Sequence, residues 1–199
     1  MAKLYFRYGA MGSSKTANAL MVRYNYMEKG QNALLLKPEV DNRDGEMVIK
    51  SRIDLSSACE TVENFLKTAE KNWFLEKDGS WENYDCIIID ESNFLSASDV
   101  DKLAEIVDVF NIPIICYGLR TDFTGHLFEG SKRLMEIADK IEEVPTVCWC
   151  GHRAHFNARV SDGKIVRDGE QVMMGGNESY VSLCRKHYMN GEITGKRNK

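Results

Sequence analysis

Gly9-Ala10-Met11-Gly12-Ser13-Ser14-Lys15-Thr16 follows directly on the apolar stretch Leu4-Tyr5-Phe6-Arg7-Tyr8. A loop that grips phosphate reads glycine, four free residues, then Gly-Lys-Ser/Thr. Its successive backbone N–H groups and the following helix N-terminus surround the β-phosphate. In that pattern Lys15 reaches the β/γ oxygens and the Thr16 hydroxyl takes Mg²⁺. Gly9, Lys15 and Thr16 fall in place, while Ser14 stands where the second glycine belongs. Taken alone, the stretch is equally a Gly/Ser turn that caps a helix. A second signal is Cys86-Ile87-Ile88-Ile89-Asp90-Glu91-Ser92, a buried-strand pattern ending in two acids. Asp90 is placed to hold the magnesium shell, and Glu91 to receive a proton from a substrate hydroxyl. Many strands end in polar residues, so Asp90 gains weight only beside the loop. Together the two point to a nucleoside-triphosphate site.

A separate cluster lies near the other end of the sequence. Cys148-Trp149-Cys150 and Cys184-Arg185-Lys186-His187 bring three cysteines and one histidine into two short groups. A Cys₃His set is a common structural zinc site, closed and therefore without catalytic role. Three buried thiols and a surface histidine would read the same way. The short segment between the pairs offers a poor core, however, and a metal staple compensates for that. His152 and His155 compete with His187 for the fourth position. Cys86 and Cys116 sit inside apolar runs as buried free thiols, which suits a reducing cytoplasm.

Positioning these groups requires alternating elements. Residues 3–8, 32–38, 84–92 and 112–119 read as strands, and 15–28, 60–76 and 127–139 as helices. A further helix opens at Ser96 or Ser98. This alternation predicts an α/β fold, a mostly parallel sheet with helices on both faces. Residues 39–57 read as a long polar loop with a short strand near Met47-Val48-Ile49. From about Val144 the texture changes to short strands (AHFNARV, GKIVRD, EQVMM) and a short helix at 179–189. The expected division is a P-loop nucleotide-binding domain over 1–143, a small zinc-binding domain over 144–190 and a disordered tail over 191–199. At 199 residues with 43% apolar content the chain can bury a real core. Its net charge of −4 argues against a duplex-binding face. No apolar run approaches the roughly 20 residues needed to cross a bilayer, and no secretory signal is evident. A soluble cytoplasmic protein is the expectation, with no nucleic-acid or membrane partner.

LYFRYGAMGSSKT, IIIDESNFL, IPIICYGLRTDF, CWCG and GGNESYVSLCRKHY, in this order, resemble the type II thymidine kinases, in their bacterial branch. The resemblance spans nearly the whole chain. It implies a RecA-like P-loop domain joined to a small zinc-ribbon-like domain carrying a lasso loop. It implies phosphoryl transfer from ATP with Mg²⁺ to the 5′-hydroxyl of thymidine or deoxyuridine, in nucleotide salvage for DNA synthesis. A homotetramer, one structural Zn²⁺ per chain and feedback inhibition by dTTP are implied as well. By position, Glu91 resembles the general base, with Asp90 and Asn93 flanking it on the nucleotide side. Met11, Phe94, Leu119 and Phe123 fall where the family encloses thymine. QVMMGGNESY looks like the lasso, with backbone near Met173 and Gly175 reading the pyrimidine edge and Tyr180 pinning the loop. Arg43 and Arg52 are candidates for neutralising phosphate charge, or are solvated surface residues. The CxC spacing belongs to a branch whose fourth ligand is histidine, which favours His187.

Two departures from the family pattern bear on chemistry. Asn93 replaces a glutamine, shortening its reach by one methylene. Ser14 adds a Cβ where backbone meets phosphate, and is expected to be tolerated by keeping a negative φ and presenting the same N–H. The rival readings are a non-catalytic P-loop module and a nucleic-acid-dependent ATPase. The latter would want a basic groove with aromatic stacking platforms.

Overall fold

Apolar runs such as Cys86–Ile89, none of whose residues exposes any surface, must be covered on both sides. The chain does this with a parallel sheet between helical layers. The structure, a computed structural model, describes residues 1–42, 45, 47–75, 84–171 and 179–195, with backbone alone at 70–75. The order is β1 (Leu4–Tyr8), α1 (Lys15–Met27), β2 (Ala33–Lys37), β3 (Val48–Lys50), β4 (Ser56–Ala58), β5 (Glu60–Thr61) and α2 (Val62–Leu75). Next come β6 (Cys86–Ile89), a 3₁₀ turn (Ser92–Phe94), α3 (Ala97–Phe110), β7 (Ile114–Gly118), α4 (Glu129–Ile137) and β8 (Lys140–Glu143). The last elements are β9 (Phe156–Ser161), β10 (Lys164–Ile165), β11 (Ser179–Leu183) and α5 (Arg185–Asn190).

The main sheet runs β5-β2-β6-β7-β1-β8, and every pairing in it is parallel. One face packs Phe65 and Leu66 of α2, Leu103 and Ile106 of α3 and Leu134 of α4 against Phe6, Ile87, Ile89 and Ile114. The other packs Ala19 and Leu20 of α1 against Leu35, Ile88, Ile115 and Tyr117. α3 starts where Ser96 accepts from the Asp99 N–H while the Asp99 carboxylate accepts from Ser96, a reciprocal cap.

Several expectations need correction. Residues 48–58 fold back as the antiparallel hairpin β3–β4, where a loop with one strand was expected. β5 and β8 add two edge strands: Glu60–Thr61 were read as the start of a helix and Lys140–Glu143 were given no element, because a two-residue strand and an exposed one carry little apolar signal. Residues 179–183 are a strand, not helix. Tyr180, Val181 and Leu183 favour extended backbone, and β11 pairs antiparallel with β9 along its whole length. The proposed strand EQVMM falls mostly outside the described residues, as does 196–199. Glu192, expected in a disordered tail, instead meets Trp149 and His187.

α4 lies directly on the 3₁₀ turn that follows β6. A Cβ on Gly130 would sit 2.6 Å from both the Ser92 and Leu95 carbonyl oxygens, and Ser131 Oγ donates to the Leu119 carbonyl at 2.6 Å. The N-terminus of α4 thereby fixes two segments that carry candidate site residues. Gly130→Ala forces helix and turn apart and should cost about 1–3 kcal/mol. Thermal unfolding should show this as a melting temperature lowered by several degrees. An unchanged melting temperature would mean that α4 can shift freely on the turn.

Candidate active site and metal centre

The residues after β1 turn sharply because two of them take the left-handed conformation, Gly12 at φ 73° and Ser14 at φ 60°. Ser14 is the N-cap residue of α1, with φ 60° and ψ 26° and no side-chain cap bond. The expectation of a negative φ at Ser14 is therefore wrong. The serine adopts the glycine's backbone, and the turn geometry outweighs a Cβ penalty of about 1–2 kcal/mol. Gly9 is demanded by contact: a Cβ there would lie 2.4 Å from the Val144 carbonyl oxygen and 2.4 Å from Ser13 Oγ. Lys15 is buried, and its ammonium donates to the Gly9 carbonyl at 3.2 Å, the Ala10 carbonyl at 3.0 Å and Ser13 Oγ at 3.3 Å.

Asp90 emerges at the end of β6, two strands from β1 across β7. It is almost wholly buried and hydrogen-bonded to Thr16. Burial, then the charge of adjacent Glu91, push its carboxyl well above the usual range, while the Thr16 hydroxyl and Lys15 pull the other way. Glu91 itself has φ 51° and ψ 33°, a left-handed conformation that costs a non-glycine residue and recurs at functional positions. That kink turns it into the wall of the cleft that Lys15 and Thr16 also line. Asn93 behaves differently from the expectation. It is buried under the turn, where its Oδ1 accepts from the Leu119 N–H at 2.9 Å. It clamps the 3₁₀ turn to the end of β7 and does not line the cleft.

The cleft measures about 810 Å³, within the usual range for ligand sites. Met11, Gly12, Ser14, Lys15, Thr16, Arg52, Glu91, Phe94, Leu119, Phe123 and Tyr180 all line it. Gly9, Ala10 and Ser13 lie behind the loop, each at most 6% exposed or in the buried class. The cleft is amphipathic: Lys15, Thr16 and Arg52 offer polar groups, while Leu119, Phe94, Phe123 and Phe128 are apolar. Phe94 and Phe128 meet edge to face at 5.8 Å. Arg52, at the tip of the β3–β4 hairpin, reaches over the loop near Gly12. Arg43, Met173 and Gly175 lie outside the described residues, as does most of the expected lasso.

Three residues of this wall were missed, Asp122, Asn157 and Gln171, together with Arg159, which packs behind Phe123. Asp122 Oδ1 accepts from the Thr124 N–H at 2.8 Å, the Thr124 hydroxyl at 2.7 Å and the His126 N–H at 3.0 Å, and its Oδ2 accepts from Gln171 Nε2 at 2.9 Å. Burial alone would raise its carboxyl, but these donors win and hold it below the usual value. Arg159 is 1% exposed. Its guanidinium lies 3.7 Å over the Phe123 ring, while Nε donates to Tyr180 Oη at 2.9 Å and Nη2 to the Glu170 carbonyl at 3.0 Å. Asn157 and Arg159 alternate on β9, and alternating polar residues on a strand ordinarily mean a solvated face. Contacts with Met11 and Thr121 bury Asn157, and those with Phe123, Tyr180 and Glu170 bury Arg159.

On the opposite face of β9 and β11, Phe156, Ala158, Val181 and Leu183 pack with Cys148, Ala154 and Tyr188. Cys148, Cys150, Cys184 and His187 converge there, one ligand atom from each lying within 4.8 Å of every other. His187 Nδ1 is 3.4 Å from Cys148 Sγ and 3.4 Å from Cys184 Sγ, and Cys150 and Cys184 sulfurs are 3.9 Å apart. Tetrahedral zinc bonded to sulfur at about 2.3 Å and nitrogen at about 2.05 Å would space these atoms about 3.8 and 3.6 Å apart. The residues fit that ion. Nε2 of His187 faces the Glu192 carboxylate at 3.4 Å, the outer partner that metal-bound histidines commonly have. Trp149 stacks on the same imidazole at 4.2 Å. Of the competing histidines, His152 reaches only Cys150, at 3.4 Å, and His155 pairs with Glu143 at 3.1 Å.

A parallel sheet whose first strand enters a Gly-rich loop and helix, with a buried aspartate from a nearby strand on the loop's threonine, defines a P-loop nucleotide-binding protein. A sequence model described as thymidine kinase matches residues 2–188. The thymidine kinase of Pasteurella multocida is 43% identical over 191 residues, covering 94% of this chain and 97% of that protein. That of Lactobacillus acidophilus is 44% identical over 200 residues, covering 97% and 99%. The chain belongs to the thymidine kinase family. Among solved structures, Pif1 helicase from Candida albicans superposes with a TM-score of 0.41 at 14% identity, over 75% of this chain and 37% of the helicase. No activity passes to this chain from a likeness of that size.

The strained Ser14 gives a direct test of the loop. Ser14→Gly relieves the left-handed penalty and returns part of it as chain entropy, for a net gain of about 0.5–1 kcal/mol. Denaturant unfolding should show a higher midpoint. A lower midpoint would mean that the serine side chain contributes more than its backbone costs.

Proposed function

We propose that this chain is an ATP-dependent thymidine kinase that transfers the γ-phosphoryl group to the 5′-hydroxyl of thymidine or deoxyuridine. The observation that carries this is the amphipathic cleft, lined together by Lys15 and Thr16, by Glu91 and by the apolar group Met11, Phe94, Leu119 and Phe123. Family membership supplies the nucleoside and the phosphate donor. In this reading the backbone N–H groups of 12–16 and the Lys15 ammonium bind the β- and γ-phosphates. Arg52 offsets their charge from the hairpin, with Arg43 in the same role. Gly9 to Thr16, Asp90 and Asn93 make up or support the nucleotide side. A magnesium ion bound with ATP would neutralise charge on the transferring group, held by Thr16 and Asp90. The fit of that ion rests on the buried Asp90 carboxylate standing against the Thr16 hydroxyl at the mouth of the loop. Glu91 orients the 5′-hydroxyl and accepts its proton as the O–P bond forms and ADP leaves. Phe94, Phe123 and Leu119 take the base, with Met173, Gly175 and Tyr180 closing over it.

The Cys148, Cys150, Cys184 and His187 group holds one structural Zn²⁺. The same reading divides the chain into a kinase domain over 1–143 and a zinc domain over 144–190. It extends to a homotetramer, inhibition by dTTP and a cytoplasmic location. Among the described residues no helix is long and apolar enough to cross a membrane. Nothing favours a non-catalytic module or a nucleic-acid-dependent ATPase.

Glu91→Gln keeps the shape but removes the base, and should lower kcat for thymidine phosphorylation by about 10²–10⁴. ATP binding should be retained. Turnover near that of the wild type would remove Glu91 from the chemistry. For the metal, elemental analysis should give one zinc per chain, lost on Cys184→Ser and retained on Cys86→Ser. Zinc that survives Cys184→Ser but not His155→Ala would place the ligand set elsewhere.

A further inference from the structure

Asn157 of β9 and Ser182 of β11 stand directly opposite each other in the antiparallel ladder, so their side chains project from the same face. Both reach one residue of the phosphate loop. Asn157 Oδ1 accepts the Met11 N–H at 2.7 Å, and the Ser182 hydroxyl donates to the Met11 carbonyl. The pair thus grips both polar groups of a single peptide residue, as a neighbouring strand would. Asn157 is 3% exposed and fixed in turn by its Nδ2, which donates to the Thr121 carbonyl at 2.9 Å beyond β7. Thr146 adds a hydroxyl to the Gly12 carbonyl at 3.3 Å. On the sheet's other side, Phe156, Ala158 and Leu183 pack with the Cys/His cluster.

We propose that Asn157 and Ser182 are positioning residues which set the phosphate loop at Met11, and so couple the small C-terminal sheet to the affinity for ATP. The proposal rests on the reading that this loop binds the phosphates of ATP. The loop's usefulness depends on its N–H groups pointing at one locus before ligand arrives. Gly9 is pinned at its N–H by the Gly118 carbonyl at 3.2 Å, and helix α1 fixes the end from Lys15 onward. Between them, Gly12 and the strained Ser14 occupy left-handed backbone, and the Ser13 N–H makes a 3.3 Å bond to the Ala10 carbonyl. Met11 lies between these ends, and both its N–H and its carbonyl are held from outside the loop. Release of Met11 lets the turn relax toward less strained backbone, and ATP must then restore the turn when it binds. A conformational requirement of that kind lowers affinity by the fraction of molecules in the competent state.

Ser182 is the decisive position because it does not line the cleft. The test is ATP binding by titration calorimetry on full-length, zinc-replete protein, without nucleoside. Ser182→Ala should raise the ATP Kd about 3- to 10-fold, equivalent to about 0.7–1.4 kcal/mol, with zinc content and melting temperature unchanged. Ser182→Thr keeps the hydroxyl and should bind like wild type. Asn157→Ala should weaken binding too, and the double variant should fall short of the summed effects, because both act on one peptide residue. Wild-type affinity in Ser182→Ala, or equal loss in Ser182→Thr, overturns the proposal. Loss of zinc or of the folded baseline in Ser182→Ala overturns it as well, since the pair would then be holding the sheet. A wild-type protein that binds no ATP overturns the underlying reading of the loop, a result distinct from either.

Discussion

Parallel pairing of β6, β7 and β1 side by side is the constraint from which the site follows. In a parallel sheet all strands end at one edge, and the three ends deliver the phosphate loop, Asp90-Glu91 and Leu119–Phe123 within reach of one another. An antiparallel arrangement would send alternate ends to opposite edges. The pairing is held by burial, since β6 and β7 expose almost nothing on either face. The chemistry is thus carried by the least tolerant part of the core.

Backbone strain concentrates where the strands release the chain. Ser14, at the N-cap of α1 after the phosphate loop, and Glu91, two residues past β6, are both non-glycine and take the left-handed conformation. Each is locked by its surroundings: the first by α1 and the loop, the second by the Asn93–Leu119 bond and the close approach of Gly130. Strain of this kind persists only where neighbours over-determine the backbone. The two positions correspond to the cradle for phosphate and the carboxylate that faces a hydroxyl.

The small β9–β10–β11 sheet serves two faces at once. Alternation along β9 sends Phe156 and Ala158 toward the Cys/His cluster and Asn157 and Arg159 toward the cleft. Few apolar residues lie between the two faces, and three cysteines and a histidine gather at one end in an arrangement that could hold a metal ion. On the other face Arg159 is buried against the aromatic rings of Phe123 and Tyr180. Its guanidinium stacks at 3.7 Å and keeps its donors in use. The outcome is a rigid wall whose aromatic surface belongs to both sheets.

Local order made much of this legible from sequence. The P-loop, the CIIIDES strand end, the four long strands and the two short cysteine/histidine groups each depend on short-range spacing, and each was readable, while the preference for His187 over His152 and His155 came from the family resemblance. Sequence alone left other features undetermined because they depend on partners far along the chain. The edge strands β5 and β8 exist through pairing with β2 and β1, not through their own apolar content. Ser14 read as a residue that would avoid left-handed backbone, yet the turn between a buried strand and a packed helix imposes it. Asn93 read as a nucleotide contact, but a close-packed Gly118 draws it inward. Asn157 and Arg159 drew no functional reading from their strand, and they become buried only through Met11 and Thr121 in the first case and Phe123, Tyr180 and Glu170 in the second. Sequence fixed the chemistry that the chain carries, since residue type and local spacing are written in it. Tertiary structure decided which polar groups face the ligand and which hold the frame, since burial is settled only when distant segments meet.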